Sequence, residues 1–332
     1  MSSLAEIIGY IMVPIQMIGE VIKAIWFNVF DGHFLPCKDL RGKKVLLTGG
    51  AMGLGREMCS VLARKGVDLI IWDIDEKGAE ETARMVRTNG VKVSVRKVDL
   101  SSRTDIDQAA KEFKETIGEP DIIINNAGIA QQKYFTEKKD HLIEATIRVN
   151  LLSHFWIARA FLPSMLRRDS GHICSIASAA GLFGCSGMSD YSASKSGAIA
   201  FQEALEVECK VLGKNGVKFT TVCPGYIATR LTSAENLPAA QTKELMNPTL
   251  VATRVIRAIE QEQGLLAVPA IFYFLSGIKG ILPRNLYQRL LVQLLWKDQQ
   301  EENTLFGYNR VVPKTPMTPG VNGFNNNASK NF

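Results

Sequence analysis

From Lys44 to Val268 two kinds of segment alternate along the chain. Short apolar runs lie near 44–48, 68–73, 92–98, 121–125, 172–177, 217–223 and 264–268. Mixed stretches with apolar positions three and four apart lie near 54–65, 76–89, 103–117, 140–168, 190–213 and 249–262. The first pattern predicts strands and the second helices. Runs that are apolar on both faces belong in parallel strands covered on each side. Gly66, Gly90, Gly118 and Gly216 each close a helical stretch or open a strand, as C-terminal caps do. With right-handed crossovers, this repeat predicts a doubly wound α/β sheet.

The two ends depart from the repeat. Residues 7–19 carry no charge, and an apolar patch from Ala24 to Phe30 follows. Glu6 precedes the run, and neither a basic leader nor a clear cleavage site accompanies it, so it does not read as a secretory signal. The uncharged run is shorter than the span of about 20 residues that crosses a bilayer. Pro14 sits at its centre, where a straight helix would lose a hydrogen bond. Three readings stand: a monotopic hairpin or in-plane anchor, a tilted single span, and an apolar arm packed on the protein. Lys38, Arg41, Lys43 and Lys44 follow and suit a cytosolic position beside anionic head groups. A second apolar stretch runs from Leu265 to Ile281, then continues with Leu286, Leu290, Leu291, Leu294 and Leu295 among Arg284, Arg289 and Lys297. It reads either as an interfacial amphipathic helix or as a core strand with a helix packed on the domain. Residues 229–248 carry little periodicity and read as a substrate loop. Residues 301–332 are rich in Asn, Thr, Pro and Gly and read as a disordered tail. The divisions are therefore 1–36 anchor, 37–270 catalytic domain, 271–300 apolar or amphipathic segment, and 301–332 tail.

The 332 residues suffice for one α/β domain with appendages. The six cysteines form no Cys-x-x-Cys pair and no metal spacing with the four histidines, so no metal is expected. Thiols placed in predicted core elements suit a reducing, cytosol-facing compartment. The net charge of +6 comes from basic residues scattered among acids, which argues against a nucleic-acid partner.

The first run ends in Thr48-Gly49-Gly50-Ala51-Met52-Gly53-Leu54-Gly55, an apolar strand entering a glycine turn ahead of a helix. Gly49 suits the tight turn. Gly53 and Gly55 let backbone approach a pyrophosphate, and the helix N-terminus offers free N–H groups. Asp73 closes the next strand, 18 residues beyond Gly55, where a carboxylate accepts ribose hydroxyls and repels a 2′-phosphate. With Met52 inside the loop and Asp75 and Glu76 beyond, NAD is favoured over NADP; Arg56 is the feature on the other side. Tyr191 and Lys195 share a helix face, with Ser178 thirteen positions upstream of the tyrosine. An ammonium beside a phenol favours the phenolate, so the expectation is a tyrosine pKa below its usual 10 and acid–base work near neutral pH.

Together these residues resemble the short-chain dehydrogenase/reductase family over about residues 40–270. Asp99-Leu100 is similar to its adenine-contacting pair, and Asn125-Asn126-Ala127-Gly128 to its signature after the fourth strand. Asn150 corresponds to the catalytic asparagine, and Pro224-Gly225 with Thr229 to the segment that passes the nicotinamide. Within the family, the leader, Trp72-Asp73-Ile74 and Leu282-Pro283-Arg284 resemble the retinol and 17β-hydroxysteroid dehydrogenases of endoplasmic reticulum and lipid droplets. The resemblance implies a Rossmann-type seven-stranded sheet of order 3-2-1-4-5-6-7, and a homodimer joined through the helices near 140–168 and 190–213. It implies Ser178, Tyr191, Lys195 and Asn150 as catalytic residues. Lys195 would also hold the nicotinamide ribose, and Asn150 would position a water. The implied cofactor site runs from Thr48, Gly49, Gly53, Leu54 and Gly55 through Asp73, Asp99 and Leu100. It continues with Asn126, Ala127 and Gly128, then Tyr191 and Lys195, and ends at Pro224, Gly225 and Thr229. The expected reaction transfers a hydride between a lipophilic alcohol (retinoid, steroid or long-chain) and NAD. An NADPH-dependent ketone reductase of lipid synthesis and a droplet surface protein with little catalysis are the alternatives. A fluorescent fusion of residues 1–40 is expected on endoplasmic reticulum or lipid droplets, and a diffuse cytosolic signal would refute the anchor.

Overall fold

Successive strand residues point to opposite faces of a sheet, and β1 (Lys44–Thr48) divides its side chains that way. Val45 and Leu47 enter one core, with Ile71, Met58, Leu62, Val255 and Ile259. Leu46 enters the other, with Ile70, Trp72, Ile123, Phe113 and Phe161. The computed structural model describes residues 35–229 and 245–295. The proposed anchor sequence at 7–19, all but the ends of the 229–248 loop and the 301–332 tail lie outside the described residues.

The elements after β1 are α1 (Gly53–Arg64), β2 (Asp68–Asp73), α2 (Glu76–Arg87), β3 (Val93–Lys97), α3 (Arg103–Thr116) and β4 (Ile122–Asn125). Then come α4 (Asp140–Ile147), a π turn (Arg148–Leu152), α5 (Ser153–Arg168), β5 (Gly171–Ile176), α6 (Ala179–Leu182) and α7 (Ser189–Val211). The series ends with β6 (Val217–Pro224), α8 (Pro248–Glu260), β7 (Leu265–Val268), α9 (Ile271–Lys279) and α10 (Arg284–Leu295). The seven strands form one sheet of order β3-β2-β1-β4-β5-β6-β7, with every pairing parallel. The order reverses direction at β1 and β4, which opens a crevice beyond their C-terminal ends.

Side chains start several of these helices. Asp75 accepts from Gly78 N–H at 3.0 Å, Ser102 from Asp105 N–H at 3.3 Å, and Asn247 from Thr249 N–H at 2.8 Å. The single helix expected over 140–168 is interrupted: one wide turn at Arg148–Leu152 separates α4 from α5 and turns Asn150 into the interior. Such turns insert a residue into a helix at the cost of regular bonding and concentrate at functional sites. The 265–281 stretch forms β7 and α9. β7 is core, and α9 is tied to it by the Tyr273 hydroxyl, which donates to Leu265 C=O (2.7 Å) and accepts from Ala267 N–H (2.9 Å). Leu275 of α9 is buried, while Ile271 and Phe274 are exposed. In α10, Tyr287 and Leu291 share a buried face, with Leu286 and Leu294 exposed. Among the described residues no helix is long and apolar enough to cross a membrane.

The segment leading into β1 crosses the end of the sheet where the strands begin. Lys38 N–H donates to Glu260 C=O at 2.8 Å, and its ammonium lies 2.6 Å from His172 Nδ1 at the start of β5. His172 Nε2 in turn meets the Thr220 hydroxyl at 2.9 Å, and that hydroxyl donates to Gln263 C=O at 2.7 Å. Burial, then the charges of Lys38 and Lys218, hold this imidazole well below its ordinary pKa, so it stays neutral.

The second core centres on three rings. Phe161 lies 5.3 Å from Phe113 and 6.0 Å from Trp72, centroid to centroid. Phe161→Ala is expected to cost about 3–5 kcal/mol of unfolding free energy in urea titrations. A loss within about 0.5 kcal/mol, the range of ordinary surface changes, would contradict this packing.

Candidate active site

The glycine turn is shaped by contacts within the protein. Gly49 has φ +73°, and a Cβ there would fall 2.7 Å from Ala127 Cα. A Cβ on Gly55 would fall 1.8 Å from Gly49 O, so α1 begins against the turn itself. Asn126 locks this arrangement: its Nδ2 donates to Thr48 O (3.0 Å) and Gly49 O (2.9 Å). The Thr48 hydroxyl accepts from Asn126 N–H (3.0 Å) and Ala127 N–H (3.2 Å), which joins the ends of β1 and β4. Asn126 and Thr48 therefore hold the turn with the groups the sequence assigned to the cofactor.

Unlike α2, α3 and α8, α1 has no side-chain cap: Met52 stands at its N-cap, and its first turn has no acidic residue. Its first N–H groups and partial positive charge are left for an anion. Thr229 lies over this turn, with its Cβ 3.3 Å from where a Cβ of Gly53 would stand. Leu54 is buried behind it. At the tip of β2, Asp73 accepts from Ala51 N–H (2.8 Å) through Oδ2 and from Asp75 N–H (3.0 Å) through Oδ1. Its carboxylate is thereby fixed beside the turn, with acceptor capacity remaining on each oxygen. Arg56, the residue that argued for a 2′-phosphate, points elsewhere. Its guanidinium donates to Thr82 Oγ1 (2.9 Å) and Ala51 O (2.5 Å) and pairs with Glu81 at 3.4 Å. At the end of β3, Asp99 accepts from the N–H and hydroxyl of Ser101 (2.8 and 2.7 Å), while Leu100 packs in the second core. A free helix terminus and a fixed carboxylate about one strand away fit a dinucleotide with its ribose hydroxyls.

Beside the glycine turn, α7 carries Tyr191 and Lys195. Ser178 leaves the end of β5 and caps α6 by accepting from Ala180 N–H at 3.1 Å. Its hydroxyl acts on the Tyr191 phenol, whose pKa it lowers. The Lys195 ammonium lies 5.7 Å from the Tyr191 ring centroid and donates to Ile176 C=O at 2.7 Å. Gly128 makes room for the remaining members: a Cβ there would be 3.3 Å from Asn150 Oδ1 and 3.4 Å from Lys195 Nζ. Asn150 accepts from Ile129 N–H (2.8 Å) and donates to Ile129 C=O (2.8 Å) and Ser194 Oγ (3.2 Å). On the far side, Gly225 N–H donates to Val268 C=O at 2.8 Å, and the Ser178 hydroxyl reaches Pro224 C=O at 3.5 Å.

The electrostatics differ from the sequence expectation. Burial pushes the Tyr191 phenol up to about 12, against the hydrogen bond from Ser178 that lowers it. Burial also brings Lys195 down to about 8, opposed by Cys223. The expected drop is absent: both groups have left water and each loses hydration of its charged form, and Lys195 is not among the groups that shift the phenol. The ammonium also spends a hydrogen bond on a carbonyl rather than on the phenol.

Several neighbours carried no usable sequence signal. Ser194 links Asn150 to α7 by donating to Tyr191 C=O at 2.7 Å. Met188, Ala180, Cys185 and Ala130 pack around Tyr191. Phe272 of α9 would meet a Cβ on Gly225 at 2.9 Å and packs edge-on against Phe183 at 5.6 Å. Only Ser194 could have been suspected, as a polar residue on the inward face three positions after the tyrosine.

A doubly wound parallel sheet with a glycine turn at its switch point, and a Ser–Tyr–Lys–Asn cluster beside it, define a class of dinucleotide-dependent oxidoreductase folds. The family pattern described as short chain dehydrogenase matches residues 43–239. Human epidermal retinol dehydrogenase 2 is 37% identical over 249 residues, covering 75% of this chain and 81% of that protein. Human estradiol 17-beta-dehydrogenase 11 is 35% identical over 271 residues, covering 82% of this chain and 88% of that protein. A short chain dehydrogenase/reductase from Burkholderia phymatum, solved in complex with NAD, superposes with a TM-score of 0.67 at 25% identity, covering 73% of this chain and 94% of that one. The chain belongs to the short-chain dehydrogenase family, in its retinol and steroid dehydrogenase group. It is an oxidoreductase that acts on CH–OH groups.

Lys195 generates a pH signature. Its folded pKa of about 8 lies below the 10.5 of a free lysine, so between these values the unfolded chain binds more protons. Stability therefore rises with pH across that window, and the full penalty for the buried charge applies below it. Lys195→Met removes the titration. Its stability relative to the wild type is expected to fall steadily as pH climbs from about 8 to about 10 in urea titrations. A difference that stays constant over that range would contradict the buried ammonium.

Proposed function

We propose that this chain oxidises a lipophilic alcohol, a retinoid, a steroid or a long-chain alcohol, with NAD as its cofactor. The observation that carries the reading is the convergence of Lys195 and Asn150 at Gly128, with the Tyr191 ring 5.7 Å from the Lys195 ammonium. Asp73, fixed at the tip of β2, and Arg56, engaged elsewhere, support NAD over NADP. The names of the relatives support the substrate class.

In this reading Thr48, Gly49, Gly53, Leu54 and Gly55 receive the pyrophosphate, while Asp73, Asp99 and Leu100 flank the adenosine. Asn126, Ala127, Gly128, Pro224, Gly225 and Thr229 border the nicotinamide, and Lys195 and Tyr191 face its ribose. NAD held by these residues would supply the hydride acceptor for the carbinol carbon. Ser178 holds the alcohol oxygen against Tyr191. Tyr191, as phenolate, accepts the hydroxyl proton. Asn150 fixes Ile129, and with it the backbone that borders the reacting groups. Because burial opposes ionisation of Tyr191, oxidation gains with rising pH, while the reverse reaction, in which the phenol donates, gains as pH falls.

The same reading takes residues 37–270 as the catalytic unit, facing the cytosol from endoplasmic reticulum or a lipid droplet. The uncharged run at 7–19 and the exposed Ile271 and Phe274 of α9 support membrane apposition. α9 would then lie near the lipid. Phe155 of α5 and Phe201 of α7 stack at 3.8 Å on the outside of the fold, and this supports a homodimer through those helices.

Detergent-solubilised protein assayed with retinol, estradiol and dodecanol tests the reading. Oxidation with NAD is expected to exceed that with NADP, and Tyr191→Phe is expected to lose about 10²–10⁴-fold in kcat. Near-full activity in Tyr191→Phe would falsify the acid–base assignment, and a preference for NADPH and ketones would reverse the direction.

A further inference from the structure

Two loops meet beside Tyr191: residues 129–139, between β4 and α4, and residues 183–188, which lead into α7. The first loop is held at its start, where both main-chain groups of Ile129 bond the Asn150 side chain at 2.8 Å. Ala130 packs against the cluster of Ala180, Met188 and Tyr191. Lys133 N–H donates to Gly187 C=O at 3.0 Å. Gly187 stands at φ +72°, and a Cβ there would lie 3.2 Å from Gln132 Cγ, so the loops touch closely. At its far end, Lys138 donates to the Asp190 carboxylate and to Gln131 C=O, the latter at 2.9 Å.

The Lys138–Asp190 pair is unlike the other ion pairs among the described residues. Both its side chains are only 2% exposed, whereas each other pair keeps at least one side chain 38% exposed or more. Burying two charges costs hydration that their attraction barely recovers, while removing one partner leaves a stranded charge. Such a pair is better explained by the geometry it fixes than by net stability. What it fixes is specific. Asp190 lies in the first turn of α7, one residue before Tyr191, and Lys138 closes the loop that Asn150 opens. Between these two anchors the loop presents Tyr134 and Phe135, which are 54% and 65% exposed.

We propose that Lys138 and Asp190 are positioning residues that hold residues 129–139 as a wall of the alcohol pocket, with Tyr134 and Phe135 as its apolar lip. The inference rests on the reading of Tyr191 as the acid–base group. Aromatic rings on a fixed backbone suit the rings and chains of an apolar alcohol. With the wall fixed, the substrate presents its hydroxyl to Tyr191 in one orientation. With the pair broken, the loop keeps its anchor at Ile129 but loses the other, and the alcohol is placed loosely. The glycine turn and the tip of β2 make no contact with this pair, so cofactor binding is left unchanged.

The test uses the full chain with retinol, estradiol and dodecanol as probes, and the variants Lys138→Met, Asp190→Asn and Lys138→Arg. Lys138→Met and Asp190→Asn are expected to lower kcat/KM for the alcohol at least about tenfold, since small misplacements of reactants carry large rate penalties. KM for NAD should stay within about twofold, as expected for an interaction confined to the alcohol side. Hydrogen exchange should show the Lys133 amide losing protection while the sheet amides keep theirs. Lys138→Arg should restore most of the lost kcat/KM. If Lys138→Met does not fold, Asp190→Asn carries the measurement, because it keeps the volume and one acceptor oxygen. Failure of both to fold would make the pair a folding requirement and overturn the inference. So would wild-type kinetics in either, or parallel losses for alcohol and NAD. If Tyr191→Phe is inactive while these variants behave as wild type, only the role of the pair falls. If Tyr191→Phe is active, the proposed reaction falls first.

Discussion

Lys195 carries its charge in the interior, with the Ile176 carbonyl 2.7 Å away as acceptor, and much of the fold is arranged around that position. The lysine needs a helix whose inward face reaches past the end of β5, and α7 supplies it. It needs a neighbour without a side chain, and Gly128 supplies that. It also needs Tyr191 one turn earlier on the same face. An ammonium held this way is near its own titration point at about 8, which makes it responsive to any charge that arrives beside it. The stability lost in burying it is offset by the two apolar cores on either side of the sheet.

The parallel sheet converts that local requirement into a crevice. Because every strand runs the same way, Thr48, Asp73, Asn125 and Ile176 all end on one rim. The reversal of strand order at β1 and β4 separates the helices above that rim. Asn126 then ties the two strands at the gap and holds the glycine turn open. The helix that begins at that point has no side-chain cap and no acidic residue in its first turn, so its first N–H groups face the crevice end without a side-chain acceptor.

Much of this was legible in the residues. The seven apolar runs fall within a residue or two of the observed strands, because runs apolar on both faces have few alternatives to a covered parallel sheet. The glycine turn and the Tyr191–Lys195 spacing were readable since each depends on local geometry. Three features were not. The wide turn at Arg148–Leu152 looks like uninterrupted helix in sequence, because a single extra residue leaves the apolar periodicity almost intact. The balance of pKa shifts depends on burial, which spacing alone does not report. The partnership of Lys138 with Asp190 joins residues fifty-two apart through the packing of two irregular loops, and no periodic pattern marks either.

The chain enters its first strand beneath the sheet. Lys38 is bound to Glu260 and His172 at the end where strands begin, while the reacting groups lie where strands finish. A strand of six residues such as β5 is about 20 Å long. Any tether made by the residues before Leu35 therefore pulls on the rim opposite the crevice, and acts on the domain as a handle rather than a hinge of the mouth. Whatever surface the mouth faces is chosen by the groups around that mouth, α9 among them, and not by the point of attachment. A change in the segment that enters at Lys38 therefore acts on the rim opposite the crevice, and the shape of the mouth is left to the elements that border it.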